Sequence, residues 1–124
     1  MTRVLIVDDH EMIADGLSKW IQKTTQLEVI AVARNGRELL RKAHTSLPDI
    51  VILDHPMPQF DTRELIAELR HQIPSAHIVI YSMENGPGAI QELLRAGAAA
   101  YVLKSDPPEQ LLAAIARLNG QLPH

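Results

Sequence analysis

The sequence predicts an α/β protein with a doubly wound, five-stranded parallel sheet and helices on both faces. Short apolar runs rich in Val and Ile recur along the chain, and a segment with helical spacing follows each one. The predicted strands are Val4–Val7, Val29–Ala33, Ile50–Leu53, Ile78–Tyr81 and Ala100–Leu103. Several runs are apolar without alternation, which is typical of parallel strands covered on both faces.

Length and composition narrow the class further. The 124 residues fit one compact domain and are too few for a closed eight-stranded barrel. The net charge of -3 argues against a nucleic-acid-binding surface, and the lack of cysteine excludes disulfides and thiolate metal sites. There is no leader-like start and no apolar run of the ~18 residues needed to span a membrane, so we expect a cytoplasmic domain.

Apolar residues three or four positions apart predict a helix after each strand. The first helix is predicted to place Ile13, Leu17, Trp20 and Ile21 on one face. Asp61, with Glu64 three positions later, resembles a capping box and predicts a helix start. The strict alternation of strand and helix implies right-handed βα units, which place helices on both faces of the sheet.

Polar residues follow four of the predicted strands. Asp8 and Asp9 follow the first strand, Asp54 the third, Ser82 the fourth and Lys104 the fifth. Because parallel strands end at the same edge of a sheet, these side chains are expected to converge. A single Asp at such a position is more often a turn residue or a helix cap. The combination at four strand ends therefore carries the prediction of an active site.

Three neighbouring carboxylates repel one another unless a cation joins them, and Mg²⁺ is the natural candidate. His10 and His55 adjoin the acidic residues and leave a transition-metal site open as a less favoured alternative. Lys104 and Ser82 offer a charge and a hydroxyl to phosphate oxygens. The set predicts a site that stabilises a phosphoryl group, with one carboxylate as the nucleophile.

The segments VLIVDDHEMIADGL, PDIVILDHPMP, IVIYSM and GAAAYVLK resemble the receiver domain of bacterial two-component response regulators over essentially the whole chain. The resemblance implies the flavodoxin-like strand order 2-1-3-4-5. It also implies that residues 1–120 form the receiver domain and that residues 121–124 begin a linker or tail. DDHEM, YSM and YVLKSDPPEQLLAAI are similar to the NarL/FixJ-like subfamily, in which a helix-turn-helix domain, expected to be absent from this chain, follows the receiver.

The resemblance assigns metal-binding and catalytic roles by position. Asp54 matches the phosphoacceptor, which attacks a phosphohistidine on a sensor kinase. Asp8 and Asp9 match the acidic pair that holds Mg²⁺ together with Asp54, and Asp9 is the expected direct ligand. The backbone carbonyl of Pro56 matches the remaining protein ligand.

The resemblance also implies a switch and a set of partners. Lys104 matches the phosphate-binding lysine, and Ser82 matches the hydroxyl that moves toward the phosphoryl group. Tyr101 matches the aromatic residue whose ring turns inward with that hydroxyl. The implied partner is a sensor histidine kinase or phosphotransfer protein, a homodimer is possible, and no contact with a membrane or direct contact with nucleic acid is expected.

Thr62 and Pro56 depart from the family pattern and leave alternatives open. Thr62 stands where the family usually has glycine, eight residues after Asp54, so we expect a rearranged loop with Asp61 capping the next helix. An atypical receiver that interacts with partners without phosphorylation is one alternative. A phosphatase with an aspartyl nucleophile is another, but it generally needs an acid at the position of Pro56. A signalling domain that catalyses only its own phosphorylation and dephosphorylation is the favoured prediction.

Overall fold

The computed structural model describes residues 2–57 and 59–119, and it confirms the predicted fold class. Five parallel strands form one sheet: β1 Arg3–Val7, β2 Glu28–Ala33, β3 Ile50–His55, β4 His77–Ser82 and β5 Ala100–Leu103. The helices are α1 Glu11–Thr24, α2 Gly36–Ser46, α3 Thr62–Gln72, α4 Pro87–Ala96 and α5 Glu109–Asn119. The strand order is β2-β1-β3-β4-β5, as predicted. The tail predicted at 121–124 lies outside the described residues.

The strand register aligns the carboxyl ends of the central strands. In β3, Asp54 pairs with Tyr81 of β4, and the next pair is His55 with Ser82. On the far side of β4, Ser82 pairs with Leu103 of β5. The residues that end β3, β4 and β5 therefore lie side by side at one edge of the sheet.

Two separate apolar clusters explain why the strand runs do not alternate. On one face, α1 and α5 cover the sheet, with a cluster that includes Val4, Ile6, Ile52, Val79, Ile21, Leu111 and Ile115. On the other face lie α2, α3 and α4, with a cluster that includes Leu5, Val7, Leu53, Ile80, Leu39, Ile66 and Leu93. Neighbouring strand residues are buried on opposite faces, as expected of a parallel sheet between helix layers. None of the helices in residues 2–57 and 59–119 is long and apolar enough to cross a lipid bilayer.

The buried stripe of α1 does not include Ile13, although Ile13 belongs to the predicted apolar pattern. Its side chain is 54% exposed, whereas Ala14 and Ile21 are buried and Leu17 is half-buried. Consecutive helix residues point about 100° apart, so the stripe of Ala14, Leu17 and Ile21 turns Ile13 away from the sheet. The alanine, too small to mark the stripe from sequence alone, sets the orientation of α1.

The loop after β3 ends in the predicted cap of the next helix. Asp61 caps α3, and its side chain accepts a hydrogen bond from the backbone N–H of Arg63 at 2.9 Å. The left-handed backbone conformation in this loop falls on Gln59, with a φ of 68°. Thr62 is the first residue of α3 and is buried, and the His55–Pro56 peptide bond is cis.

Two glycines give opposite predictions for substitution by alanine. Gly97 has a φ of +124°, and an added Cβ would lie 2.5 Å from Cδ of Arg70. Gly97→Ala should therefore lower the free energy of unfolding by about 1–3 kcal/mol. Gly16 lies inside α1 with nothing within 4 Å of an added Cβ, so Gly16→Ala should raise this energy by about 0.5–1 kcal/mol. Urea unfolding followed by Trp20 fluorescence measures both, and changes of the same sign would contradict the prediction.

Candidate functional site

An ion pair joins strand ends that are far apart in the sequence. The Nζ atom of Lys104, just after β5, lies 2.5 Å from Oδ1 of Asp54 and donates a hydrogen bond to it. The same ammonium group lies 3.7 Å from Oδ2 of Asp8, which follows β1. Asp8 and Asp54 are buried, whereas about a fifth of the Lys104 side chain is exposed. One cation therefore neutralises part of the charge of two buried carboxylates.

The sheet explains how Lys104 reaches β3 across β4. Its backbone N–H donates to the carbonyl of Ser82 at 2.8 Å, which continues the pairing of β4 with β5. The side chain then passes over Tyr81, with Nζ 5.6 Å from the centre of the ring. Tyr81 is the residue that pairs with Asp54 across the ladder, so the ring supports the lysine beside the Asp54 carboxylate. Burial raises the pKa of the Tyr81 hydroxyl, which keeps this neighbour neutral.

Four side chains at this edge are close enough to bind one divalent cation. Asp8, Asp9, His10 and Asp54 each offer a ligand atom, and these atoms lie within 4.8 Å of one another. Nδ1 of His10 lies 3.0 Å from Oδ1 of Asp9 and 3.2 Å from Oδ1 of Asp8. The three carboxylates supply the hard oxygen ligands that Mg²⁺ prefers, so the residues present fit this ion. The exposed Asp9 leaves the cluster open to solvent.

The pKa of Asp54 is raised above its usual value. Burial is the largest cause, since it disfavours the charged carboxylate. The hydrogen bond and the charge of Lys104 lower the pKa, while the negative charges of Asp8 and Asp9 raise it. The net direction shows that Lys104 offsets the cost of the ionised carboxylate only in part. A further positive charge in the pocket would stabilise the ionised form.

Ser82 and Tyr101 meet at the backbone of Glu84. The hydroxyl of Ser82 is fully buried, donates to the carbonyl of His55 at 2.6 Å and accepts from the N–H of Glu84 at 3.0 Å. The hydroxyl of Tyr101 donates to the carbonyl of Glu84 at 2.8 Å. Both predicted switch residues therefore bond to one residue of the β4–α4 loop. Pro56 is exposed and directly follows β3, two residues after Asp54.

A second set of contacts, not foreseen from the sequence, lies at the end of β3. Nδ1 of His55 lies 2.7 Å from Oγ1 of Thr62, and Nε2 of His55 lies 3.5 Å from Oε2 of Glu84. Of the two histidines beside the acidic residues, His10 belongs to the acidic cluster. The ring of His55 instead contacts α3 and the β4–α4 loop. The threonine in place of the family glycine was the available signal, but nothing in the sequence indicated Glu84.

A five-stranded parallel sheet in this order, with acidic side chains and a lysine at its carboxyl edge, defines the class of receiver-like α/β domains. The response regulator receiver domain family matches residues 4–116. The chain therefore belongs to this family, whose domains are signalling modules rather than classical enzymes. The cluster of Asp8, Asp9 and Asp54 is typical of the Mg²⁺ site of receivers.

Similar proteins belong to the NarL/LuxR group of response regulators. The chain is 33% identical over 112 residues to the nitrate/nitrite response regulator protein NarL of Escherichia coli K12, covering 90% of this chain and 52% of that protein. It is 32% identical over 120 residues to the transcriptional regulatory protein LnrK of Bacillus subtilis, covering 97% and 54%. The chain therefore spans about half the length of these curated relatives.

Solved structures agree with this placement. A two-component response regulator of the LuxR family from Aurantimonas sp. SI85-9A1 superposes with a TM-score of 0.91 and 30% identity, covering 98% of this chain and 88% of that one. The signal receiver domain of the putative response regulator NarL from Mycobacterium tuberculosis gives a TM-score of 0.86 and 25% identity, with 94% coverage of each chain. The NarL-like subfamily predicted from the motifs is confirmed.

Proposed function

We propose that this domain accepts a phosphoryl group on Asp54 from a sensor histidine kinase or a phosphotransfer protein, and that Mg²⁺ assists the transfer. The observation that supports it best is the Lys104 ammonium held against Oδ1 of Asp54. Asp8, Asp9 and Asp54 would hold the ion, with the backbone carbonyl of Pro56 as a further ligand. Bound there, Mg²⁺ would neutralise negative charge on the phosphoryl oxygens as they approach the carboxylates.

The transfer is a substitution at phosphorus. An oxygen of Asp54 forms a bond to phosphorus while the P–N bond of the kinase phosphohistidine breaks, and the electron pair of that bond returns to the imidazole. The products are an acyl phosphate on Asp54 and a free histidine, which takes up a proton. Lys104 remains beside the acceptor and offers its charge to a phosphoryl oxygen.

The response would start at Ser82. Its hydroxyl leaves the carbonyl of His55 to donate to a phosphoryl oxygen, and Tyr101 follows because both residues bond to the backbone of Glu84. The changed surface would act on an output domain or on a second copy of the chain. Because the relatives are about twice as long and include transcriptional regulators, we place a transcriptional output outside this chain. We also place the domain in the cytoplasm, where its kinase partner would present phosphohistidine.

Intact-mass measurement after incubation with acetyl phosphate and Mg²⁺ tests this function. We expect one phosphoryl adduct on the wild-type protein, because the small donor replaces phosphohistidine and acetate leaves as the P–O bond breaks. The adduct should be absent from Asp54→Asn and should not form when EDTA removes the metal. Asp49→Asn is a matched control, since Asp49 lies outside the acidic cluster.

An unmodified wild-type protein with an intact fold would contradict the proposal. That result would favour the atypical receiver that binds partners without phosphorylation. An adduct that persists in Asp54→Asn would instead show that another residue is the acceptor. Sustained release of phosphate from a chromogenic phosphate ester would favour the phosphatase alternative.

A further inference from the structure

His55 occupies an enclosed position between three elements. Its side chain is 16% exposed and lies at the end of β3, beside the start of α3 and the β4–α4 loop. Its two ring nitrogens face different partners, Thr62 at 2.7 Å and Glu84 at 3.5 Å. The ring therefore bridges the first residue of α3 and the loop that holds the switch residues.

The two partners suit one tautomer of the imidazole. An ionised carboxylate only accepts hydrogen bonds, so a proton on Nε2 suits the Glu84 carboxylate 3.5 Å away. In that tautomer Nδ1 is an acceptor, and the hydroxyl of Thr62 can donate to it at 2.7 Å. A glycine at position 62 would leave Nδ1 without this donor. The hydroxyl of Thr62 therefore favours the Nε2–H tautomer of His55.

Glu84 connects this bridge to the phosphorylation site. Its backbone N–H donates to Ser82, its carbonyl accepts from Tyr101, and its side chain faces Nε2 of His55. Ser82 completes a ring of contacts by donating to the carbonyl of the same histidine. A shift of the Ser82 hydroxyl would therefore break its contacts with the N–H of Glu84 and with the carbonyl of His55 together.

We infer that His55 is a positioning residue that couples the loop carrying Ser82 and Glu84 to the N-terminal turn of α3 through the hydroxyl of Thr62. This inference extends the proposed function, because the movement it transmits is that of Ser82. The N-terminal turn of α3 also contacts α4, since Nη1 of Arg63 lies 3.1 Å from Oε1 of Glu92. A cavity of about 240 Å³ beside His55, Thr62 and Glu84 leaves room for the Glu84 side chain to move.

The tautomer of His55 tests the arrangement without any phosphorylation. Long-range ¹H–¹⁵N spectra should show a single Nε2–H tautomer in the wild-type protein at about pH 8.5, above the usual range of histidine titration. Thr62→Val keeps the side-chain shape without the hydroxyl and should give a mixture of tautomers, whereas Thr62→Ser should restore the single form. A wild-type ring that carries its proton on Nδ1, or a spectrum unchanged in Thr62→Val, would overturn the inference.

The coupling itself is measured after phosphorylation with acetyl phosphate and Mg²⁺. In the wild-type protein, the backbone amide resonances of Thr62, Arg63 and Glu64 should shift with the adduct. In Thr62→Val these shifts should fall by about half or more, while Asp54 still takes the phosphoryl group and the Tyr101 resonances still respond. Thr62→Ser should recover the wild-type shifts, which a purely structural defect at α3 would not predict.

The two experiments separate the inference from the function beneath it. Equal α3 shifts in the wild-type and Thr62→Val proteins would overturn the coupling even though phosphorylation occurs. Failure of the wild-type protein to form an adduct would contradict the proposed function and, with it, the transmitted movement. The tautomer measurement would still decide whether Thr62 positions His55.

Discussion

Lys104→Met should slow the phosphorylation of Asp54 by acetyl phosphate by about 100-fold or more, the loss typical of removing one preorganised donor to developing negative charge. Methionine has a similar length and shape but offers neither charge nor hydrogen bond. The Lys104 ammonium lies 2.5 Å from Oδ1 of Asp54, beside the position where a phosphoryl group on this carboxylate would lie. The rate of adduct formation, followed by intact mass at fixed Mg²⁺, gives the measurement.

Lys19→Met is the matched control for this substitution. It removes the same charge from a side chain that is 76% exposed and pairs with Asp15 on the same helix. Such an exposed pair contributes little, so the rate should stay within about twofold of the wild-type value. Equal losses in the two variants would mean that net charge, and not the position of Lys104, controls the reaction.

Asp54→Asn should stabilise the metal-free protein at neutral pH by about 1 kcal/mol, within the range common for single stabilising substitutions. The raised pKa of Asp54 means that the folded state holds its proton up to a higher pH than the unfolded state. Between the usual value of 3.8 and the raised pKa, the free energy of unfolding therefore falls as pH rises. The asparagine variant lacks this fall, because the amide does not ionise.

Mg²⁺ should reverse the order of stability, so that the wild-type protein becomes more stable than Asp54→Asn. A ligand that binds only the folded state adds about 1.4 kcal/mol at ten times its Kd, and this gain should be much smaller in Asp54→Asn. Urea unfolding across a pH series, with and without Mg²⁺, measures both effects. Asp15→Asn, which neutralises an exposed carboxylate on α1, should change neither the pH dependence nor the response to Mg²⁺. If Asp54→Asn is no more stable than the wild type and has the same pH dependence, then burial of the ionised Asp54 carboxylate does not lower the free energy of unfolding.

The fold and the acidic edge were predictable because both depend on patterns that local sequence carries. Unbroken Val and Ile runs indicated strands buried on both faces, and the residue after each run was sufficient to bring Asp8, Asp54 and Lys104 together. The predicted end of β3 at Leu53 was too early. The ladder continues through Asp54 and His55, since backbone pairing with β4 does not require apolar side chains.

The errors arise where the result depends on side-chain direction. The orientation of α1 follows from the small Ala14, which hydrophobic patterning undervalues, and so the pattern did not indicate that Ile13 is exposed. The contact between His55 and Glu84 depends on a loop conformation that no periodic pattern encodes. Thr62 could be recognised as unusual from the sequence, but its partner could be found only from the coordinates.

The extension of β3 has a mechanical consequence. Asp54 is anchored in the central strand of the sheet, with paired backbone on one side and a helix layer on each face, so the proposed nucleophile is held by the ladder. Ser82 at the strand end and Glu84 beyond it, the residues proposed to respond, lie where the backbone leaves the ladder. Substitutions in the β4–α4 loop should therefore change the response to phosphorylation and leave the phosphorylation of Asp54 unchanged.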